Sequence, residues 1–423
     1  MRRTLAALAI LALLAGPSAA SAKDEHVLAV PGDYPTIQAA LAEASKGDVI
    51  LLGAGTYDGG ITVPEGKPGI TIRGVNRNTV VFDGGGVRSN ALEIEADEVT
   101  LENLTAHDFV ENGFYWDGVT GFVGRYLTVW NVGLYGVYAI SSRSGIIEQS
   151  YVSGAADAAF YIGECQPCDT VVRVVTARLS AVGYSGTNAG GNLTVEDSLF
   201  ESNSVGILPN SYDVGLQTPP QRDATFRHNV VRDSGRVATP RATPLAGFHG
   251  VGIGIIGGVG NLVTDNEVTG SARYGIVVVP AIDRDAVWVP SDNRVTGNRV
   301  SGSAVADLAL AAGSGAGNCF EGNTALLVDP QDLGTCSAAT GGSDAVAAAL
   351  AQPPPQLLDG LPSAPSYADM PPPAEQSTLP VDRPVDVLWL IPAVVLALGI
   401  AGLGFLFRRR RSTAAGGVSP SRG

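Results

Sequence analysis

The chain has 423 residues, 54 of them glycine, with 45% hydrophobic and 16% charged residues and a formal net charge of −14. Arg2, Arg3, Arg408 to Arg411 and Arg422 fall near the two ends, so the part between carries 20 basic against 41 acidic residues, a net charge of −21. That acidic body excludes nucleic acid as a partner, because phosphate binding needs a cationic surface, and it repels polyanionic glycans unless cations bridge them.

In chain order, Met1-Arg2-Arg3, the apolar run from Leu5 to Ala15 and the small residues Ala20-Ser21-Ala22 form the pattern of a secretory signal, residues 1–22. Residues 23–336 are read as one folded ectodomain. From Thr36, apolar Ile37, Ala40, Leu41 and Ala44 fall at helical spacing and predict a short amphipathic helix, suited to capping the open edge of a repeat structure. The runs Ile61-Thr62-Val63, Ile70-Thr71-Ile72, Val80-Val81-Phe82 and Val99-Thr100-Leu101 are rich in β-branched residues, are punctuated by glycine or asparagine, and predict strands.

A repeat follows. Small residues open similar apolar segments at Gly113, Gly136, Ala159, Gly183, Gly206, Gly252 and Gly275, at steps of 23, 23, 24, 23, 46 and 23. A fixed step in the range of about 20 to 50 residues marks a solenoid, in which each repeat buries its apolar face against its neighbours. One residue after each mark stand Phe114, Val137, Phe160, Tyr184, Ile207, Ile253 and Ile276; three after stand Trp116, Ala139, Ile162, Gly186, Pro209, Ile255 and Val278. Both columns face inward by the period-two rule, and a third is expected seven residues before the marks at Ala106, Val129, Val152, Thr176, Leu199 and Val268. Several such columns per 23 residues predict a parallel β-helix.

The 46-residue step holds extra residues at 212–223 and 233–250, and a shorter excursion spans 280–292. Insertions in a solenoid map to loops, often on one binding face, which singles out Arg222, His249 and Trp288 as candidate ligand contacts. Cys165 and Cys168 read as a small loop disulfide, leaving Cys319 and Cys336 to pin the end of the solenoid. Residues 337–386, rich in Ala, Pro and Ser, read as a semi-extended stalk. Residues 387–407 are uninterruptedly apolar, long enough to span a bilayer, and the arginines of 408–423 should stay cytoplasmic. The expectation is an exported protein anchored by one C-terminal helix.

Tyr34-Pro35-Thr36-Ile37-Gln38-Ala39-Ala40, Gly53-Ala54-Gly55-Thr56-Tyr57 and coils such as residues 261–279 resemble the pectin-lyase-like superfamily of right-handed parallel β-helices, over about residues 25–336. The resemblance implies an all-β, right-handed solenoid of about 23 residues per coil, and a superfamily that includes polysaccharide lyases, hydrolases, uronan epimerases and accessory proteins. No catalytic signature of a named enzyme family is matched.

Function must therefore be sought on the outward face. Two residues after the first three marks, Tyr115, Tyr138 and Tyr161 should stack on coils about 4.8 Å apart, either as a platform for sugar rings or as a ladder that stiffens the sheet. Asp117, Glu164, Asn188 and Asn210 lie just beyond this strip. Asp117 and Glu164, two coils apart, with Arg143 in the coil between, are the candidate catalytic set: two carboxylates near the spacing of inverting glycoside hydrolysis and one cation for a lyase. Lysine is excluded from that role, because only Lys23, Lys46 and Lys67 occur. Glu102, Arg125 and Glu148 alternate in sign and read as a structural salt-bridge ladder. His107-Asp108, a histidine beside an acid that could move a proton near neutral pH, reads rather as a turn pair, and His26, His107, His228 and His249 form no recognisable copper or zinc cluster. No cofactor motif is evident, and calcium among the outward acids is compatible with the sequence. The sequence favours a surface protein that binds polysaccharide, with a polysaccharide lyase, hydrolase or epimerase as the alternative and an accessory role behind both.

Overall fold

A computed structural model describes residues 25–241, 247–336, 341–351 and 364–381. The expected signal and the apolar run 387–407 lie outside the described residues, among which no helix is long and apolar enough to cross a membrane. The chain divides after Ser377. Of the second unit, the described residues 378–381 carry no helix or strand, and everything below concerns the first.

The cap forms as its sequence dictates. Thr36, in extended conformation, accepts the Ala39 N–H at 3.2 Å through its hydroxyl, and α1 (Ile37–Glu43) buries Ile37, Ala40 and Leu41. Strands then pair in parallel with the strand one coil onward, forming a larger sheet of 20 strands and a smaller one of 11. The step of the sequence repeat is the register of the smaller sheet: Phe114 pairs with Val137, Val137 with Phe160, Phe160 with Tyr184, Tyr184 with Ile207, Ile207 with Ile253 and Ile253 with Ile276. All seven are buried, as are Trp116, Ala139, Ile162, Ile255 and Val278 of the second column.

The repeat is marked by glycine because the next coil leaves no room for a side chain. A Cβ on Gly206 would stand 2.4 Å from the Gly252 carbonyl oxygen, and one on Gly252 would stand 2.5 Å from that of Gly275 and 2.6 Å from Val268.

The third column needs a correction. Val152 pairs with Ala177, and Ala177 with Phe200; these are fully buried, whereas Thr176 and Leu199 are only half-buried. The turn before Gly183 and Gly206 is one residue shorter than in the earlier coils, and a slip of one residue exchanges the two faces of a strand.

Buried polar groups are laddered rather than scattered. Asn229, Asn266, Asn298 and Asn323 form one stack and Asn261, Asn293 and Asn318 another, each amide donating to the next side-chain oxygen at 2.8–3.1 Å. The charge ladder expected from Glu102, Arg125 and Glu148 runs further. Arg73 and Arg125 flank the nearly fully buried Glu102 at 3.3 Å each, and Glu148 is paired with Arg173. Cys165–Cys168 and Cys319–Cys336 are both disulfides.

The parts of the expected stalk described up to Ser377 do not stand clear of the solenoid. Asp344–Ala351 is a helix, α2, whose Val346 and Leu350 join Leu208, Val277 and Ala309 in a second apolar cluster on the outer face of the smaller sheet. Alanine-rich composition permits a helix as readily as a coil, and an available apolar face decides between them. Further on, Met370 sits over Gly154, the Ala368 carbonyl accepts from Asn131, and Gln376 and Asn78 exchange two hydrogen bonds of 2.8 and 2.9 Å.

Candidate functional site

The smaller sheet brings the three tyrosines into register: Tyr115 pairs with Tyr138, and Tyr138 with Tyr161. Tyr115 and Tyr138 stack with centroids 4.7 Å apart and planes at 18°, while Tyr161 meets Tyr138 edge-on at 5.0 Å. A fourth ring, Tyr135, lies on Tyr138 at 4.3 Å and 15°. It escaped the sequence reading because it sits in the turn before the mark, outside the strand column. Tyr115, Tyr138 and Tyr135 are half-buried and Tyr161 is buried, so the strip is a shallow aromatic floor.

Acids surround it. Glu93 continues the column next to Tyr115, the Tyr115 hydroxyl is bonded to exposed Asp117, and the Tyr135 hydroxyl is bonded to Asp157. Burial, reinforced by the carboxylates of Asp117 and Asp157, holds the Tyr115 and Tyr135 phenols neutral, as donors, far above their ordinary range. Burial also raises the Glu93 carboxyl, with Glu95, Asp117 and Glu111 adding to the effect, and raises that of Asp157 against its bond from Tyr135.

Beyond Tyr161 the outward column continues as Ser185, Leu208, Gly254 and Val277, and it is covered. Trp288 belongs to that cover. It ends the hairpin of Ala281–Asp283 and Ala286–Trp288 and packs on the second apolar cluster. The insertion after Asn210 is tied to this hairpin, with the Asp213 N–H on an Asp283 carboxylate oxygen at 2.7 Å and Arg284 on the Asp213 carbonyl at 2.6 Å.

The other expected site residues are placed less favourably for contact with a ligand. Glu164 follows Gly163, the partner of the Ile140 that pairs with Asp117, but its left-handed backbone (φ 56°) takes it out of the Asp117 column. Only 4% exposed, it accepts the Gln217 N–H at 2.7 Å and the Asn188 amide at 3.2 Å, holding the insertion loop, while burial raises its carboxyl. Asn188 is fully buried and bridges Glu164 to the Tyr212 and Gln217 carbonyls; Asn210 is buried against Ser185 and Leu208. Arg143 is exposed, pairs with Thr120, and among the described residues makes no hydrogen bond or ion pair to Asp117 or Glu164. Arg222 opens a strand of the larger sheet and bonds to the Pro220 carbonyl. The arrangement can stack a sugar ring and bond its hydroxyls, but it assembles no acid–base pair from these residues.

His249 is buried in the 247–250 turn, and desolvation, with Arg241 and then Arg273 adding to it, lowers its pKa to about 4 from 6.5. The folded state thus prefers neutral imidazole. Its contribution is complete above pH 6.5 and declines as the pH falls toward 4. Denaturant unfolding at pH 7.5 and pH 5 is expected to show about 2 kcal/mol more acid destabilisation in the native protein than in His249→Gln. Equal pH dependence in the two would contradict this assignment.

These features define a right-handed parallel β-helix. Residues 112–281 match the family model of the right handed beta helix region. No curated protein sequence matches the chain. Among solved structures, the A-module of Azotobacter vinelandii mannuronan C-5 epimerase AlgE6 is similar at 13% identity, over 70% of this chain and 90% of that one, with a TM-score of 0.43. An alginate lyase from Paenibacillus sp. str. FPU-7 is similar at 17% identity, over 62% and 91%, with a TM-score of 0.46. A mannuronic acid specific polysaccharide family 6 lyase from human gut microbiota is similar at 15% identity, over 72% and 83%, with a TM-score of 0.47.

Proposed function

We propose that the chain is an exported, membrane-anchored β-helix protein that binds extracellular or envelope polysaccharide along the tyrosine strip. The observation that carries this reading is the in-register stacking of Tyr115 and Tyr138, joined by Tyr135, on a half-buried outer face. An aromatic floor ringed by carboxylates supplies faces for sugar C–H groups and acceptors for sugar hydroxyls. Binding is favoured over turnover because Glu164 is already engaged with Gln217 and Asn188, so the expected pairing of Asp117 with Glu164 as acid and base is not assembled. Anchoring rests on the apolar run 387–407 and the arginines after it.

The test is retention on immobilised neutral glycans and uronans, with and without calcium, for membrane and soluble fractions separately. The full chain should sediment with membranes. Tyr138→Ala should weaken glycan binding about tenfold, or ~1.4 kcal/mol. Unchanged binding would exclude the strip, and new unsaturated or reducing ends that vanish in Asp117→Asn would establish turnover instead.

A further inference from the structure

Asp83, His107 and Asp108 form a cluster on the other sheet. Asp83 ends the strand Val80–Asp83 and pairs with His107 of the strand Thr100–Phe109, so the two side chains are neighbours on one outer face. Side chains at adjacent strand positions normally point to opposite faces, but Asp108 has left-handed backbone (φ 58°), and its carboxylate turns back onto the histidine. The His107 Nδ1 lies 2.8 Å from an Asp108 oxygen and 3.8 Å from an Asp83 oxygen, and all three donor atoms fall within 4.8 Å of one another. His107 is therefore a strand residue facing two acids from two coils.

The dimensions suit a small ion. A tetrahedral ion with bonds of about 2.0–2.1 Å separates its donor atoms by roughly 3.3–3.4 Å, midway between the two distances observed. A change of about half an ångström in each of these two distances would bring the imidazole and each carboxylate to that separation.

The surroundings hold the donors in place. Trp130, the partner of His107 in the next coil, stacks on the imidazole at 4.3 Å and 17°. The Gly85 N–H donates to the Asp83 oxygen nearest His107 at 2.8 Å, and the Asp108 carbonyl approaches Gly84 so closely that a Cβ there would stand 2.4 Å away. The side chains of Asp83, His107 and Asp108 are 43%, 17% and 34% exposed, which leaves the fourth position open to water.

We infer that Asp83, His107 and Asp108 are the protein ligands of a divalent transition-metal site, with Zn²⁺ the best fit. Two carboxylates balance the ionic charge, and the imidazole nitrogen disfavours calcium and magnesium, which select oxygen. The site is independent of the tyrosine strip.

The test is titration of the full-length protein with Co²⁺, followed by displacement with Zn²⁺ and by X-ray absorption of the zinc-loaded protein. One equivalent should bind, with visible d–d bands and a first shell of one imidazole and oxygen donors. His107→Gln should abolish the bands. Asp108→Asn should weaken binding at least about tenfold, since even outer-shell partners contribute about 10–100-fold. Asparagine is tolerated at this corner: Asn131 holds it, with φ 54°, in the next coil. His228→Gln should leave binding unchanged. Absence of the bands, an all-oxygen shell, or full binding by Asp108→Asn would each overturn the assignment, and the absorption measurement on the native protein decides it even if the variants fail to fold.

Discussion

Asn266→Ala is expected to lower the unfolding free energy by about 3–5 kcal/mol, read as a shift in denaturant midpoint with little change in slope. Its side chain joins three coils. The amide donates to the Phe226 carbonyl at 2.9 Å and to Asn298 at 2.9 Å, while the oxygen accepts from the Asn229 backbone and side chain at 3.0 and 3.1 Å. Only 1% of the residue is exposed, so water cannot replace these partners. Truncation strands groups on both neighbouring coils, at roughly 1–3 kcal/mol for each buried group left unpaired. A change under about 1 kcal/mol would mean that the ladder is only ornamental.

Gly252→Val is expected to cost about 3 kcal/mol or more, or to give insoluble protein. The Cβ alone would stand 2.5 Å from the Gly275 carbonyl oxygen, 2.6 Å from Val268 and 2.9 Å from Ser271, before either methyl of the valine is placed. Because each coil contacts only its neighbours, protease cleavage should concentrate near residues 231–275. Ala159 shows that a single methyl can be accommodated at one mark, so Gly252→Ala should cost less than valine. Equal midpoints for Gly252→Val and the native protein in the same denaturant series would refute the steric account of the repeat.

The inward columns at Phe114 and Trp116, the cap from Thr36, both disulfides and the tyrosine stack were legible in sequence, because each follows from spacing along one chain. The slip at Thr176 and Leu199 was not, since a turn shortened by one residue leaves the glycine period nearly intact while exchanging the faces of the strand before it. Asn188, Asn210 and Glu164 were counted as outward polar residues, yet they fasten an insertion whose path no periodicity encodes. The pairing of Asp83 with His107 is not legible in sequence, because the marked repeat begins only at Gly113 and gives no register for the coils upstream of it.

Sequence by itself determined the solenoid, its period and its core, because a repeated local pattern must bury the same positions in every coil. Only the tertiary structure decided the decoration: which outward columns α2 and the hairpin cover, where residues 364–377 lie, and which acids meet His107. Those depend on contacts between segments far apart in the chain, and their energies come from surfaces that exist only once the coils have stacked.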